Sequence, residues 1–191
     1  MSLGFNERSR QHDEDALGLV ESAFRELGFL VFPYGIEQLP ELQRVLRGLH
    51  NGTSKMLRYR PDRVAVKPGK GTLLLGVKSE GGRSPNFAVE FDAWDAARMW
   101  NQDARRVLYV FVDLLSRDVL ACWPEALSPR KVFVPRRGDL LRVKSLLPPG
   151  AVARWYPAVR GSGTAFFLVS KSDLQSLREA LGPEWKSTTT S

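Results

Sequence analysis

The sequence predicts one α/β domain in which helices flank a mixed β-sheet, followed by a strand-rich C-terminal segment. The main observation is the order of periodic segments along the 191 residues: helix, strand, strand, helix, strand, strand. The composition agrees, because 43% hydrophobic and 26% charged residues are typical of a globular protein. A chain of this length buries a core without needing disulfides.

We expect the domain to span residues 13–183, with a core over 13–128 and a C-terminal elaboration over 129–183. Residues 1–12 are polar without periodicity and are predicted to be disordered, and residues 184–191 form a polar tail. No apolar run approaches the roughly 20 residues that cross a bilayer. The N-terminus also lacks a secretory signal pattern, so no membrane association and a cytoplasmic location are expected.

The first predicted elements are helices. From Asp13, apolar residues recur at three- and four-residue steps up to Leu27, which is typical of one face of an amphipathic helix. Gly28 and Pro33 end this helix, and a second helix is predicted over 37–49.

A β-hairpin follows, with strands over 56–66 and 72–78 joined by a turn that contains both proline and glycine. The nearly all-apolar segment over 106–114 is typical of a buried strand. The other predicted elements are a helix over 93–104, a strand over 119–123, a strand over 166–169 and a helix over 172–181.

The charge is unevenly distributed. Residues 1–50 carry five Lys and Arg against eight Asp and Glu, whereas residues 51–191 carry 23 against 13, within a net charge of +7. A basic excess of this kind is expected of a protein that contacts phosphate backbones, so nucleic acid is the leading partner. A solvated basic face, or a basic ribosomal or lipid-facing surface, produces the same charge.

Several chemistries have little support in the sequence. Cys122 is the single cysteine, and His12 and His50 are the only histidines, which argues against disulfides, thiolate zinc sites and a serine–histidine triad. Trp94 and Trp100 lie six residues apart among alanines, a pattern more typical of core residues than of base-stacking platforms.

The hairpin carries two candidate functional residues. Strand alternation places Asp62 on the same side as two valines, and Lys78 on the same side as Gly76. A carboxylate and a lysine on adjacent strands can form a site where the carboxylate holds a hard metal and the ammonium lies near the reacting phosphate. A surface ion pair is the alternative.

Two glutamates add to this pattern. Glu21 falls inside the apolar stripe of the first helix, and Glu90 lies at the start of the later helix on the face that carries Ala93 and Trp94. A carboxylate directed toward packed residues is costly unless it is used. Alternatively, each glutamate flanks the core and reaches solvent at an edge.

In this order the residues resemble the PD-(D/E)XK nuclease superfamily, which has the restriction-endonuclease-like fold. The resemblance covers about residues 13–123 and depends on Glu21, Pro61–Asp62, Val77–Lys78 and the segment 86–94. It implies hydrolysis of DNA phosphodiester bonds with Mg²⁺ or Mn²⁺. It further implies that Asp62 is a metal ligand, that Lys78 is the catalytic lysine and that Glu21 is a supporting acid.

One position departs from the family pattern. The family has Asp or Glu two residues before the lysine, and this sequence has Gly76 there. Some family members carry this carboxylate on the neighbouring helix, so Glu90 is the expected second metal ligand, with Glu80 a weaker candidate. The alternative is a catalytically inactive module that binds nucleic acid or protein on the same fold.

The leading hypothesis is therefore a metal-dependent DNA nuclease with Asp62, Lys78, Glu90 and Glu21 in its site. Many nucleases of this fold dimerise, so a homodimer is one expected state. A basic structural protein without a nucleic-acid role is a third class. Six arginines are expected to contact the DNA backbone: Arg58, Arg60, Arg63, Arg83, Arg136 and Arg137.

Overall fold

A computed structural model describes residues 5–34, 59–102, 104, 106–157 and 164–185, and it shows side chains from residue 11 onward. The helices are α1 (Phe5–Glu26), α2 (Phe91–Trp100), α3 (Leu140–Leu146) and α4 (Leu177–Leu181). The first strands are β1 (Leu30–Pro33), β2 (Arg63–Lys67), β3 (Gly71–Glu80), β4 (Asn86–Glu90) and β5 (Val107–Asp113). The later strands are β6 (Asp118–Cys122), β7 (Lys131–Val134), β8 (Val152–Trp155), β9 (Phe166–Ser170) and β10 (Gln175–Ser176). Short 3-10 helices lie at Pro124–Ala126, Arg137–Asp139, Lys171–Asp173 and Pro183–Trp185.

The main sheet has the strand order β1-β2-β3-β5-β6-β10 among the described residues. Strands β2 and β3 form the antiparallel hairpin that the sequence predicts, with Arg63 opposite Leu75. Strands β3 and β5 run parallel, with Gly76 opposite Tyr109 and Lys78 opposite Phe111. A parallel pair requires a crossover connection, and here β4 and α2 provide it. The sheet is therefore mixed, and the predicted α/β class is confirmed.

A second sheet has the order β4-β9-β7-β8 within the described part of the chain. It combines β4, from the crossover, with three strands that follow residue 129. The strand-rich C-terminal segment is thus present, but it contributes to both sheets, because β10 returns to pair with β6 of the main sheet.

The main sheet is covered on both faces. One face packs against α1 and α4 in an apolar cluster that includes Phe24, Leu75 and Val110. The other face packs against α2 and the second sheet in a cluster that includes Trp94 and Phe167. Strand β5 is buried along its whole length, as its continuous apolar sequence predicts. Among the described helices, none is long and apolar enough to span a membrane.

The structure corrects several predicted boundaries. Helix α1 begins at Phe5, so residues 5–12, which were expected to be disordered, are helical. Strand β2 begins only at Arg63, directly after Asp62. The predicted helix over 37–49 lies outside the described residues. Strand β4 was not predicted, although Phe87 and Val89 alternate as in a half-buried strand.

The C-terminal helix is shorter than the predicted span of 172–181, because a cap fixes its start. Ser176 and Glu179 form a capping box, in which the Ser176 hydroxyl accepts a hydrogen bond from the Glu179 N–H. Residues 171–173 form a 3-10 turn, and residues 175–176 form β10.

Asn101 connects α2 to β5 and thereby positions the strand that passes under the site. Its amide nitrogen donates to the carbonyl of Val107 at 3.0 Å, and its Oδ1 accepts from the N–H of Arg106 and of Val107. Because Asn101 and Val107 are both buried, these bonds satisfy the N–H and carbonyl groups of Val107 inside the protein.

An ion pair joins the two sheets at the end of β5. Lys171, which follows β9, donates to Asp113 Oδ2, while Asp113 Oδ1 accepts from the N–H of Leu115 at 2.9 Å. The hydrogen bond from Lys171 is the largest cause that lowers the pKa of Asp113, and the backbone N–H donors act in the same direction.

We expect Asp113→Asn to be about 2 kcal/mol less stable than wild type at pH 7, the size of a hydrogen bond to a charged group. Because folding lowers the pKa of Asp113, its contribution is full above the unfolded value of about 3.9 and is lost as pH falls below it. Urea unfolding from pH 7 to pH 2 should therefore show the two proteins converging at the acidic end. Asp173→Asn, at an exposed carboxylate near Lys171, is the control, and a pH-independent difference for Asp113→Asn would contradict the assignment.

Candidate active site

A cavity of about 150 Å³ lies between the start of the β2–β3 hairpin, β5 and α2. Three of the four predicted catalytic residues, Asp62, Lys78 and Glu90, line it together. They come from three different strands or strand ends and are separated by as many as 28 positions in the chain. Tyr59, Arg60, Gly76, Trp100 and Tyr109 also line the cavity.

The carboxylate of Asp62 is held by the backbone of the neighbouring strand. Its own N–H donates to the carbonyl of Leu75 at 2.7 Å, which extends the hairpin pairing one residue beyond β2. Its Oδ2 accepts from the N–H of Val77 at 2.6 Å. The carboxylate therefore lies across β3, beside the residue that precedes Lys78.

Strand alternation brings Lys78 to the same cavity. Leu75 belongs to the core cluster on the α1 face of the sheet, and Val77 packs against it. The residues between and after them, Gly76 and Lys78, face the opposite side and line the cavity. The orientation predicted from the hairpin is thus the one that the structure shows.

Glu90 is in the cavity, but its element differs from the prediction. It is the last residue of β4, kept extended by pairing with Phe166, and α2 begins one residue later at Phe91. It is the N-cap residue of α2 but makes no side-chain capping bond. Its Oε1 accepts from the Thr164 hydroxyl at 3.1 Å.

Glu21 is not among the residues that line the cavity. Its Oε1 lies 3.4 Å from Arg63 Nε, and Arg63 Nη1 donates to the backbone carbonyl of Asp62 at 3.0 Å. Glu21 therefore acts on the site through Arg63, which contacts the backbone at the metal-ligand candidate. The side chain of Arg63 is only 16% exposed, so this ion pair occupies an arginine that was expected to contact DNA.

Asp13 is a carboxylate near the site that sequence reasoning missed. It lies on α1, two turns before Glu21, and with Asp62 it lines a second cavity on the α1 side of the hairpin. Desolvation raises the pKa of Asp13, while the charges of His12 and Lys78 oppose that rise. Because Asp13 and Asp62 line one cavity, α1 contributes a carboxylate to the same end of the hairpin.

Tyr109 explains why residue 76 is glycine. The two residues are directly opposite in the parallel β3–β5 pair. A Cβ atom on residue 76 would lie 2.7 and 2.8 Å from two carbons of the Tyr109 ring, closer than nonbonded atoms approach. A carboxylate at this position and the Tyr109 ring cannot both be present in this arrangement.

Two neutral buried donors of the cavity lining have no hydrogen-bond partner among the described residues: the Tyr109 hydroxyl and the Trp100 indole N–H. Burial is the largest cause that raises the pKa of Tyr109, and the negative charges of Asp62 and Glu90 raise it further. The Tyr109 hydroxyl therefore keeps its proton and can donate it in a hydrogen bond. Buried donors are normally satisfied, so this pair marks the cavity as a place for an oxygen-rich ligand.

The carboxylates of the cavity are few. No cluster of three or more His, Cys, Asp or Glu side chains that could hold a metal ion occurs among the described residues. Glu80, the weaker sequence candidate, accepts from the N–H of Gly82 at 2.8 Å and is not part of the cavity lining. Asp62 and Glu90 are the two carboxylates that line this cavity.

The remaining basic candidates lie in different parts of the structure. Arg60 lines the cavity itself, whereas Arg83 is exposed in the loop before β4. Arg136 and Arg137 follow β7, and the guanidinium of Arg137 lies 5.6 Å from the ring of Trp155. Arg58 lies outside the described residues.

The contact between Gly76 and Tyr109 can be measured as a coupling. We expect Gly76→Ala to cost about 1–3 kcal/mol of unfolding free energy, the usual cost of overpacking a core. The cost should fall sharply in a Tyr109→Val background, where the ring carbons are absent. Gly138→Ala is the control, because a Cβ there meets no atom within 4 Å. Equal costs of Gly76→Ala in both backgrounds would show that the ring is not the constraint.

Comparison with known proteins gives no match to a family model and none to a curated protein. The chain is similar to Hjc, a Holliday junction resolvase from Archaeoglobus fulgidus, with a TM-score of 0.46 and 10% identity over 86% of this chain and 94% of that chain. It is also similar to a nuclease from a fusselovirus, with a TM-score of 0.45 and 10% identity over 97% of this chain and 95% of that chain.

Proposed function

We propose that this protein is a metal-dependent nuclease that hydrolyses phosphodiester bonds of DNA. The observation that carries the proposal is that Asp62, Lys78 and Glu90 line one cavity from separate parts of the chain. Two carboxylates, an ammonium and two unpartnered buried donors form a set that suits a phosphate ester approached by a hard cation. We also propose that the protein is cytoplasmic, as expected from the sequence.

Asp62 and Glu90 are the residues that would hold Mg²⁺ or Mn²⁺. Mg²⁺ in enzymes is usually bound by one or two carboxylates and completes its coordination with water and substrate phosphate, so this pair is sufficient. A bound cation would withdraw charge from the phosphoryl oxygens and lower the pKa of a water molecule. The hydrogen bond from Val77 restrains the Asp62 carboxylate, and the hydrogen bond from Thr164 restrains that of Glu90.

Lys78 supplies the positive charge on the protein side of the reaction. Its ammonium orients the attacking water and offsets the charge that develops on the phosphoryl oxygens in the transition state. The Tyr109 hydroxyl and the Trp100 N–H add neutral donors for the same oxygens. The Tyr109 hydroxyl acts only as a hydrogen-bond donor, because the raised pKa of Tyr109 keeps it protonated.

The Glu21–Arg63 pair has a positioning role. Arg63 bonds to the backbone carbonyl of Asp62, and Glu21 fixes Arg63 from α1. Arg60, Arg83, Arg136 and Arg137 would contact the phosphate backbone, as would Arg58 by the sequence prediction. Contacts of this kind carry little sequence information, and binding through them weakens steeply as salt is added.

A second candidate is a catalytically inactive DNA-binding module. It is favoured by Gly76, which leaves two carboxylates rather than three in the described site. The two candidates differ in whether any DNA is cut, so one assay separates them.

A cleavage assay on single-stranded, duplex and branched DNA with Mg²⁺ or Mn²⁺ tests the proposal. We expect wild-type cleavage, and a loss of about 100-fold or more in Asp62→Asn and in Glu90→Gln, the size expected when a preorganised electrostatic contact is removed. Glu80→Gln is the matched control, because this carboxylate lies two residues from Lys78 but outside the cavity lining.

The outcomes are distinct. Normal cleavage by Glu90→Gln would show that Glu90 is not a metal ligand, and the proposed nuclease activity would still be supported. No cleavage of any substrate by the wild type would contradict the nuclease and favour the binding module.

A further inference from the structure

A row of cross-strand neighbours runs over the second sheet from the proposed active site. Glu90 on β4 is opposite Phe166 on β9, Phe166 is opposite Phe133 on β7, and Phe133 is opposite Arg154 on β8. These four side chains share the face that points away from the core, because each follows a buried residue. The buried residues are Val89, Ala165, Val132 and Ala153.

Three aromatic rings on this face form a continuous aromatic ladder, which we define as Phe166, Phe133 and Tyr156. The rings of Phe133 and Phe166 are stacked, with centroids 5.2 Å apart and an interplanar angle of 19°. Tyr156 packs edge-on against Phe133 at 5.4 Å, and 45% of Tyr156 is exposed. Phe133 and Phe166 are half-buried, so Tyr156 is the exposed end of the aromatic ladder. An exposed ring that continues into further rings offers a stacking surface to a flat ligand.

Glu90 lies at one end of the aromatic ladder, opposite Phe166, and the charges beside the rest of the ladder are positive. Lys131 Nζ lies 4.9 Å from the Phe133 ring centroid, and Arg154 is exposed on the next strand. Strands β7, β8 and β9 contain no acidic residue. A face with exposed rings and cations complements a chain that carries flat bases and phosphates.

We propose that the aromatic ladder binds a single DNA strand through its unpaired bases and directs that strand toward the active site at Glu90. The direction toward catalysis rests on the proposed nuclease function, whereas the binding itself does not. Bases stack on Tyr156 and the neighbouring rings, and Lys131 and Arg154 contact the phosphates. A duplex conceals its base faces, so this surface selects DNA with unpaired nucleotides.

Fluorescence anisotropy of labelled oligothymidine and of a duplex of equal length, in EDTA so that no cleavage occurs, tests this proposal. We expect Tyr156→Ala to weaken binding of oligothymidine about tenfold, since stacking on one ring contributes about 1–3 kcal/mol per base. Duplex binding should change less than about twofold, because a duplex does not present base faces to the ring. Tyr156→Phe should retain single-strand binding, because phenylalanine keeps the aromatic ring. Phe32→Ala is the matched control, since Phe32 is 49% exposed at the distant edge strand β1.

Three results would overturn the proposal: no binding of oligothymidine by the wild type, equal losses for single strand and duplex, or the same loss in Phe32→Ala. Failure of the nuclease is separable from failure of the ladder. If the protein cuts no DNA but binds single strands in a manner that depends on Tyr156, the binding role of the aromatic ladder is supported and the nuclease function is contradicted. If the protein cuts duplex DNA and the Tyr156→Ala variant binds oligothymidine as well as wild type, only the binding role of the aromatic ladder is contradicted.

Discussion

The contact between Gly76 and the ring of Tyr109 is the constraint on which the candidate site depends. The two residues face each other in the parallel β3–β5 pair, and the ring occupies the space that any side chain at residue 76 would need. The same ring carries a buried hydroxyl at the cavity that holds Asp62 and Glu90. The glycine that looks like a lost ligand in the sequence is therefore the partner of a tyrosine that contributes to the cavity.

Because the Tyr109 ring leaves no room for a carboxylate at residue 76, the second carboxylate of the cavity comes from a different layer of the fold. Glu90 belongs to β4 of the second sheet, and Thr164, just before β9, bonds to it. The cavity thus lies where the main sheet meets the second sheet, and the Lys171–Asp113 pair joins the two nearby. The C-terminal strands are part of the construction of the site, because pairing with β9 keeps Glu90 extended.

The sequence predicts the hairpin well, because alternation and the turn residues are local. For that reason the sides taken by Asp62 and Lys78 could be predicted, and so could the buried strand β5. Long-range pairing is not encoded in local periodicity, so the sequence indicates a helix at Glu90 where the structure has a strand, and it does not predict that Glu21 pairs with Arg63. Tyr109 lies in an unbroken apolar run that indicates burial but not which residue lies opposite. The helical structure of residues 5–12 was missed because the helix continues beyond its apolar stripe, and Asp13 was missed as a carboxylate near the site because it precedes that stripe.

Asp62 and Glu90, from two different sheets, are proposed to form one cation site. Titration of Mn²⁺ followed by electron paramagnetic resonance tests this site without any substrate. We expect one bound ion per chain in the wild type, affinities at least about tenfold weaker in Asp62→Asn and in Glu90→Gln, and no change in Glu80→Gln. Wild-type affinity in either Asp62→Asn or Glu90→Gln, or no Mn²⁺ binding by the wild type, would show that the two carboxylates do not share a cation.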